Sequence, residues 1–350
     1  MVEAETGLAR IGNRLPELKG RFGYEQTGFF HSLLLRYRYA VPLHEYEPVA
    51  HWMAQALNAQ MADIWPPRPR DPAVEADVAA LRANGFVRLG RLLGEDDLAA
   101  INAHFAACTV TSEWGGQGTA FRPTEPPAGA RFGAHLRSDI MAAPGLVALA
   151  NDPRIMHRVA GWLGVPPTVM AADSWWSYSG PAEPKDAQLF HIDRHCYRFI
   201  KVFFFLTDVT METGPHVYVR GSHRVREHFL RLRRMQADKD PQAARFAALW
   251  GTQRKADADV EAFYGAENVE YITGKAGEVF LINTAGIHKG LLPHQGRRHI
   301  AQFLYTMLPT VKDPYAPEPV PGLYDEIERR FPGAWTPEQH YYMNRMVVRF

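Results

Sequence analysis

The chain has 350 residues, 46% of them hydrophobic and 22% charged, with a formal net charge of +1. That is the balance of a globular protein with a sizeable core, and it gives no electrostatic reason to expect nucleic acid or an anionic membrane as a partner. Two cysteines, Cys108 and Cys196, cannot build a disulfide framework, no basic-then-apolar leader opens the chain, and the longest apolar run, Phe199 to Leu206, is too short to span a bilayer, so a cytoplasmic location is expected.

Residues 1–70 carry no evident chemistry. His44 to Trp65 has apolar residues at helical spacing and reads as a packing helix. The proline-rich stretch from Trp65 to Pro72 marks a boundary. Asp71 is then a natural N-cap, Pro72 suits the first helical position, and Gly85 closes a helix whose apolar stripe is Val74, Val78 and Leu81. A short strand follows from Phe86, then a helix over Asp96 to Cys108. Residues 111–135, rich in Gly, Pro and Thr, read as loop, and Asp152-Pro153 starts another helix that ends at Gly164.

From Thr168 the pattern changes to strand-like runs separated by Gly/Pro turns. They cover Thr168–Ser179, Gln188–Thr207, His216–Arg220, Val269–Thr273, Glu278–Ile282 and Arg298–Leu308. A helical insertion, 224–264, begins with a basic face of arginines, the usual mark of a solvated helix. Two C-terminal helices follow, the second with a capping box at Thr336–Gln339. Helices, then strands, then helices predict a mostly β core with helical flanks (α+β), a double-stranded β-helix or jelly-roll, cupin-like barrel. The expected division is a helical extension (1–70), a barrel domain (71–310) and a helical tail (311–350).

The chemistry centres on His191 and Asp193. Two residues apart on a strand, their side chains leave the same face, beside a very apolar run. Alone the pair reads equally well as a buried Asp–His hydrogen bond. His288, flanked by Gly286 and Gly290, supplies a third candidate ligand with open space beside it. Two imidazoles and one carboxylate on one face of an ion form the facial triad of non-haem Fe(II) oxygenases. Arg298, ten residues on, has the planar fork that binds one carboxylate of a dicarboxylate cosubstrate.

These segments resemble the phytanoyl-CoA dioxygenase-like (PhyH) family of Fe(II)/2-oxoglutarate-dependent oxygenases over roughly residues 73 to 308. The similarity lies in Asn84-Gly-Phe-Val-Arg-Leu89, Phe190-His-Ile-Asp193, Leu206 to Pro215 with Val217 to Arg224, and Asn283 to Gly290. The resemblance implies iron on His191, Asp193 and His288, and 2-oxoglutarate on Arg298. Arg298 is preferred to its neighbour Arg297 because the family's arginine precedes an aromatic seven residues on, which Tyr305 fits. It further implies O2 as co-reactant, and oxidation of an unactivated C–H bond in a small-molecule or acyl substrate with release of succinate and CO2. A carboxylate at position 193 favours hydroxylation over halogenation. A cupin-like metal-dependent isomerase or hydrolase, or a non-catalytic metal-binding relative, is the alternative.

Other residues carry weaker signals. Trp176 and Tyr178 share a face of the strand before the ligand pair and are candidate pocket residues. His195 falls on the ligand face and reads as a polar residue at the pocket rim. Asn283 and Thr284 are candidate hydrogen-bonding neighbours of the distal histidine. Cys196 points away from the ligands, His223 reads as structural, and His216, His228, His294 and His299 read as ordinary surface or hydrogen-bonding histidines.

Overall fold

The computed structural model of the chain describes residues 14–23, 41–67, 69–180, 183–251, 253–309 and 317–350. Much of the expected N-terminal extension, one residue of the proline-rich boundary and the start of the expected C-terminal tail therefore lie outside the described residues. Three helices come first: α1 (Arg14–Phe22), α2 (Tyr46–Met61) and α3 (Pro72–Asn84). Strand β1 (Phe86–Arg91) and helix α4 (Glu95–Ala107) follow, then β2 (Val110–Thr111), β3 (Ala120–Phe121) and β4 (Phe132–His135). After α5 (Arg137–Ala142), α6 (Leu146–Ala150) and α7 (Pro153–Leu163) come β5 (Thr168–Tyr178), β6 (Phe199–Phe205) and β7 (His216–Val219). The insertion is α8 (Val225–Ala237), α9 (Ala243–Ala248) and α10 (Asp257–Tyr264). The chain closes with β8 (Val269–Ile272), β9 (Glu278–Ile282), β10 (His288–Gly290), β11 (Arg297–Thr306), α11 (Leu323–Arg330) and α12 (Pro337–Asn344).

The strands form two antiparallel sheets. The major sheet runs β1-β9-β6-β11-β5-β4-β2-β3 and the minor one β10-β7-β8. Alternation along the central strands builds two cores. Phe203 and Phe205 of β6, Phe280 and Ile282 of β9 and Ile300 of β11 pack against Tyr218 and Ile272 of the minor sheet, filling the space between the sheets. The intervening residues, Val202, Phe204, Leu281, Ala301 and Phe303, turn to the other face and pack against the helices. This two-sheet sandwich, flanked by helices, is the jelly-roll architecture that the segregated pattern predicts. The insertion covers the outer face of the minor sheet, where Phe246, Val260 and Phe263 meet Val217 and Val219. Its basic helix α8 buries none of its residues, as a solvated face should. Among the described residues no helix is long and apolar enough to cross a membrane.

Two expectations change. Residues 111–135 contain three short strands that extend the major sheet, which Gly- and Pro-dense segments conceal. Gln188–Thr207 is not a continuous run of strand: Phe190 and His191 make isolated bridges, residues 192–198 are irregular, and the strand begins at Phe199. The polar run Asp193-Arg-His195 directs its groups to different partners, so the ladder is interrupted there.

Gly85 ties the first core helix to the site. It caps α3 at φ 91°, and its N–H donates to the Leu81 carbonyl at 2.8 Å. A Cβ there would meet the Tyr218 hydroxyl, which donates to the Asn283 carbonyl at 3.0 Å. Gly85→Ala combines left-handed strain with overpacking and should destabilise the protein by about 2–4 kcal/mol. Urea denaturation checks this; an unchanged midpoint would show that Tyr218 yields without cost.

Candidate metal centre

His191, Asp193 and His288 converge at one end of the space between the sheets, with one ligand atom from each lying within 4.8 Å of the others. His288 opens β10, and His191 pairs with it through two backbone hydrogen bonds of 2.9 Å. The Asp193 N–H donates to the Thr284 carbonyl at 2.8 Å, which fixes the carboxylate residue against the same segment. The irregular ligand loop is thus held by the strand that supplies the third ligand.

The imidazoles are oriented for a metal. His191 Nδ1 lies 2.8 Å from the Leu189 carbonyl and His288 Nδ1 2.9 Å from the Gly286 carbonyl. A carbonyl only accepts, so each Nδ1 donates, and the lone pair is left on Nε2. Burial lowers the pKa of both rings, His288 well below its usual value, so both are neutral at physiological pH. His191 Nε2 stands 3.9 Å from Asp193 Oδ1, and His288 Nε2 3.6 Å from Asp193 Oδ2. Ligands at right angles around a first-row ion stand about 3 Å apart, so small side-chain movements would close this set on one. Burial alone would raise the Asp193 pKa. The Lys201 ammonium, with His195 beside it, overcomes this and holds the carboxyl well below its usual range. Two neutral imidazoles and an ionised carboxylate fit a divalent first-row metal.

Arg298 also faces the space between the sheets. It pairs across β5 with Ser177, and its Nη2 donates to the Ser177 hydroxyl at 3.1 Å. Its Nε has no partner among the described residues, and none of their carboxylates lies within ion-pair distance. Burial draws its pKa down to about 10, which leaves it cationic at neutral pH. A buried guanidinium without an acid fits the far carboxylate of a diacid. Arg297 points to the opposite face, over the Trp176 ring and onto the Pro123 carbonyl.

The remaining candidates divide. His195 reaches the site, with Nε2 3.4 Å from Asp193 Oδ2 and its ring edge-on to Phe199. Thr284 is buried beside the ligands but touches Asp193 through its carbonyl, and Asn283 accepts from the Ala285 N–H to shape the turn. Trp176 and Tyr178 do not line the interior. They pair across the strands with His299 and Arg297, Trp176 stacks on His299, and the Tyr178 hydroxyl donates to the Pro123 carbonyl. Their neighbours Trp175 and Ser177 face inward instead, and Trp175 packs edge-on against Phe203. Cys196 belongs to the helix-side core, away from the ligands. His223 bonds the Arg82 carbonyl, as a structural residue would.

Two interior residues gave no sequence signal of their importance. His216 is not an ordinary surface histidine: it is buried, stacked on His288 at 5.3 Å, and its Nε2 has no partner among the described residues. Lys201 places its ammonium 2.8 Å from Asp193 Oδ2. A cavity of about 410 Å³ lined by His44, Arg194, His228, Phe229 and Trp250 lies between the insertion and the ligand loop, and none of the three candidate metal ligands lines it.

Fold and site together define a jelly-roll protein with a 2-His-1-carboxylate cluster. The sequence model of the family described as phytanoyl-CoA dioxygenase (PhyH) matches residues 81–292, more than half the chain, and the chain belongs to that family. By class it is therefore a 2-oxoglutarate-dependent non-haem iron oxygenase. No curated protein matches the chain. Among solved structures it is similar to the non-heme alpha ketoglutarate dependent carbocyclase SnoK from nogalamycin biosynthesis, at 20% identity over 69% of this chain and 88% of that one, with a TM-score of 0.45. It is similar to EctD from S. alaskensis with 2-oxoglutarate and 5-hydroxyectoine, at 18% identity over 69% and 80%, TM-score 0.44. HygX from Streptomyces hygroscopicus with nickel and 2-oxoglutarate bound is 17% identical over 67% and 87%, TM-score 0.41. The family match, not these distant likenesses, carries the assignment.

Proposed function

We propose that the protein oxidises an unactivated C–H bond of a small-molecule or acyl substrate, most simply by hydroxylation, with turnover of 2-oxoglutarate to succinate and CO2. In this reading His191, Asp193 and His288 hold the iron, and Arg298 holds the far carboxylate of 2-oxoglutarate. The observation that carries it is the pairing of a convergent, correctly tautomerised ligand set with a buried guanidinium that meets no carboxylate among the described residues, on the same interior surface. The metal supplies the capacity to activate O2 when bound. The chain's own residues do the rest. The Leu189 and Gly286 carbonyls fix the rings, Arg298 and Ser177 orient the cosubstrate, and Phe203, Phe205, Phe280 and Ile282 exclude water behind it.

Arg298, which meets no carboxylate among the described residues, also speaks against a hydrolase, which needs no diacid anchor. The test is purified protein with Fe(II), ascorbate, O2 and 2-oxoglutarate. One equivalent of iron should bind, and succinate should form faster with an accepted substrate; protein that retains no iron and yields no succinate with any candidate would sink the proposal.

A further inference from the structure

Lys201 keeps Asp193 ionised, and that contact uses only one of its donors. On β6 it shares the face of Phe203 and Phe205, which line the space between the sheets. Its ammonium lies 2.8 Å from Asp193 Oδ2, and its side chain is only 13% exposed. An ammonium has three donors. Among the described residues Asp193 is the single acceptor that Lys201 meets, and no other carboxylate lies within ion-pair distance. Asp173 of β5, a second carboxylate on this face of the sheet, accepts from the Gln302 amide at 2.7 Å, and β5 stands two strands from β6, roughly 10 Å across.

The position of Lys201 relative to Arg298 separates their roles. Lys201 pairs across the strands with Leu304, six residues along β11 from Arg298, or about 20 Å of strand. Asp193 contacts Lys201, and His216, stacked on His288, faces the charge of Arg298 most strongly and that of Lys201 next. The ligand cluster therefore lies between the two cations. A diacid anchored on Arg298 would lie toward the Arg298 end of the cluster, leaving Lys201 at the Asp193 end. With a divalent ion on the Asp193 carboxylate, that negative charge would be more than balanced, and the ammonium would face the space between the sheets without a counter-charge.

We propose that Lys201 binds a carboxylate of the primary substrate through charge-assisted hydrogen bonds, and so selects acids over their neutral analogues. This rests on the iron and 2-oxoglutarate reading above and names the substrate class for that site.

The test uses the full chain loaded with Mn(II), a stand-in for iron, and 2-oxoglutarate. The probes are small carboxylic acids and the primary amides of the same carbon skeletons, with affinities read by calorimetry for wild type, Lys201→Met and Lys201→Arg. Wild type should bind the best acid about tenfold or more tightly than its amide. Lys201→Met should lose that preference while still taking up Mn(II) and 2-oxoglutarate, and Lys201→Arg should retain it. Acids and amides bound alike, no acid bound, or a preference that survives Lys201→Met would each overturn the proposal. So would loss of Mn(II) binding in Lys201→Met, because the ammonium would then serve only to hold Asp193. Failure of wild type to take up Mn(II) or 2-oxoglutarate is a different result, and it would count against the iron reading itself.

Discussion

Asp193→Ala should lose metal affinity by more than about 100-fold, because it removes the one charged donor, and even an outer-shell partner is worth 10–100-fold. The same substitution should destabilise the metal-free protein. Lys201 is 13% exposed and would be left as a largely buried ammonium without its carboxylate, at a cost on the order of 3 kcal/mol. The double variant Asp193→Ala/Lys201→Met removes both charges, so it should regain most of that stability without regaining metal. Mn(II) titration and urea denaturation of the two variants separate the effects. A double variant no more stable than the single one would show that Lys201 and Asp193 are not energetically coupled.

Arg298→Met should raise the dissociation constant for 2-oxoglutarate about 100-fold, the equivalent of roughly 3 kcal/mol for a desolvated bidentate carboxylate contact. Stability of the ligand-free protein should move the other way or stay put. The guanidinium is buried with Nε unpartnered, so replacing it with an apolar chain of similar length removes a desolvation penalty and costs one hydrogen bond to Ser177. Arg298→Lys should recover part of the affinity, since it restores charge without the fork. Calorimetry with the Mn(II)-loaded protein and a thermal melt without ligand provide the two readings. A variant that melts early and binds 2-oxoglutarate normally would make Arg298 a structural residue.

The sequence made the chemistry of this site more legible than its geometry. His191, Asp193 and His288 are suggested by residue type, spacing and the glycines around His288, and the family resemblance singles out Arg298 from its neighbour Arg297. Period-two alternation sorts β6 and β9 correctly, because their two faces meet different cores. It failed on β5, where Trp175 and Trp176 are adjacent aromatics and both faces are covered. Only the pairing of Ser177 with Arg298 decides which one looks inward, and that register is long-range. It offers no warrant for Lys201. Counted from His191 in twos the residue falls on the ligand face, where its ammonium does stand, but residues 192–198 are irregular, so the count has no physical basis across them. His216 was hidden for a related reason. Its neighbour Val217 packs outward against the insertion, while Tyr218 packs inward, and a four-residue strand gives too little pattern to choose between them. The short strands within 111–135 could be recognised only once β4 pairs with β5.

If His191, Asp193 and His288 hold iron and Arg298 holds 2-oxoglutarate, metal and cosubstrate would bind together at one site. Anaerobic addition of Fe(II) to protein with 2-oxoglutarate tests it most directly, because chelation by the keto acid gives a visible charge-transfer absorption. The band should grow to saturation at one equivalent of iron in wild type, be absent in Asp193→Ala, and need about 100-fold more 2-oxoglutarate in Arg298→Met. Wild-type protein that binds Fe(II) yet shows no band, or a band indifferent to the loss of Arg298, would contradict it.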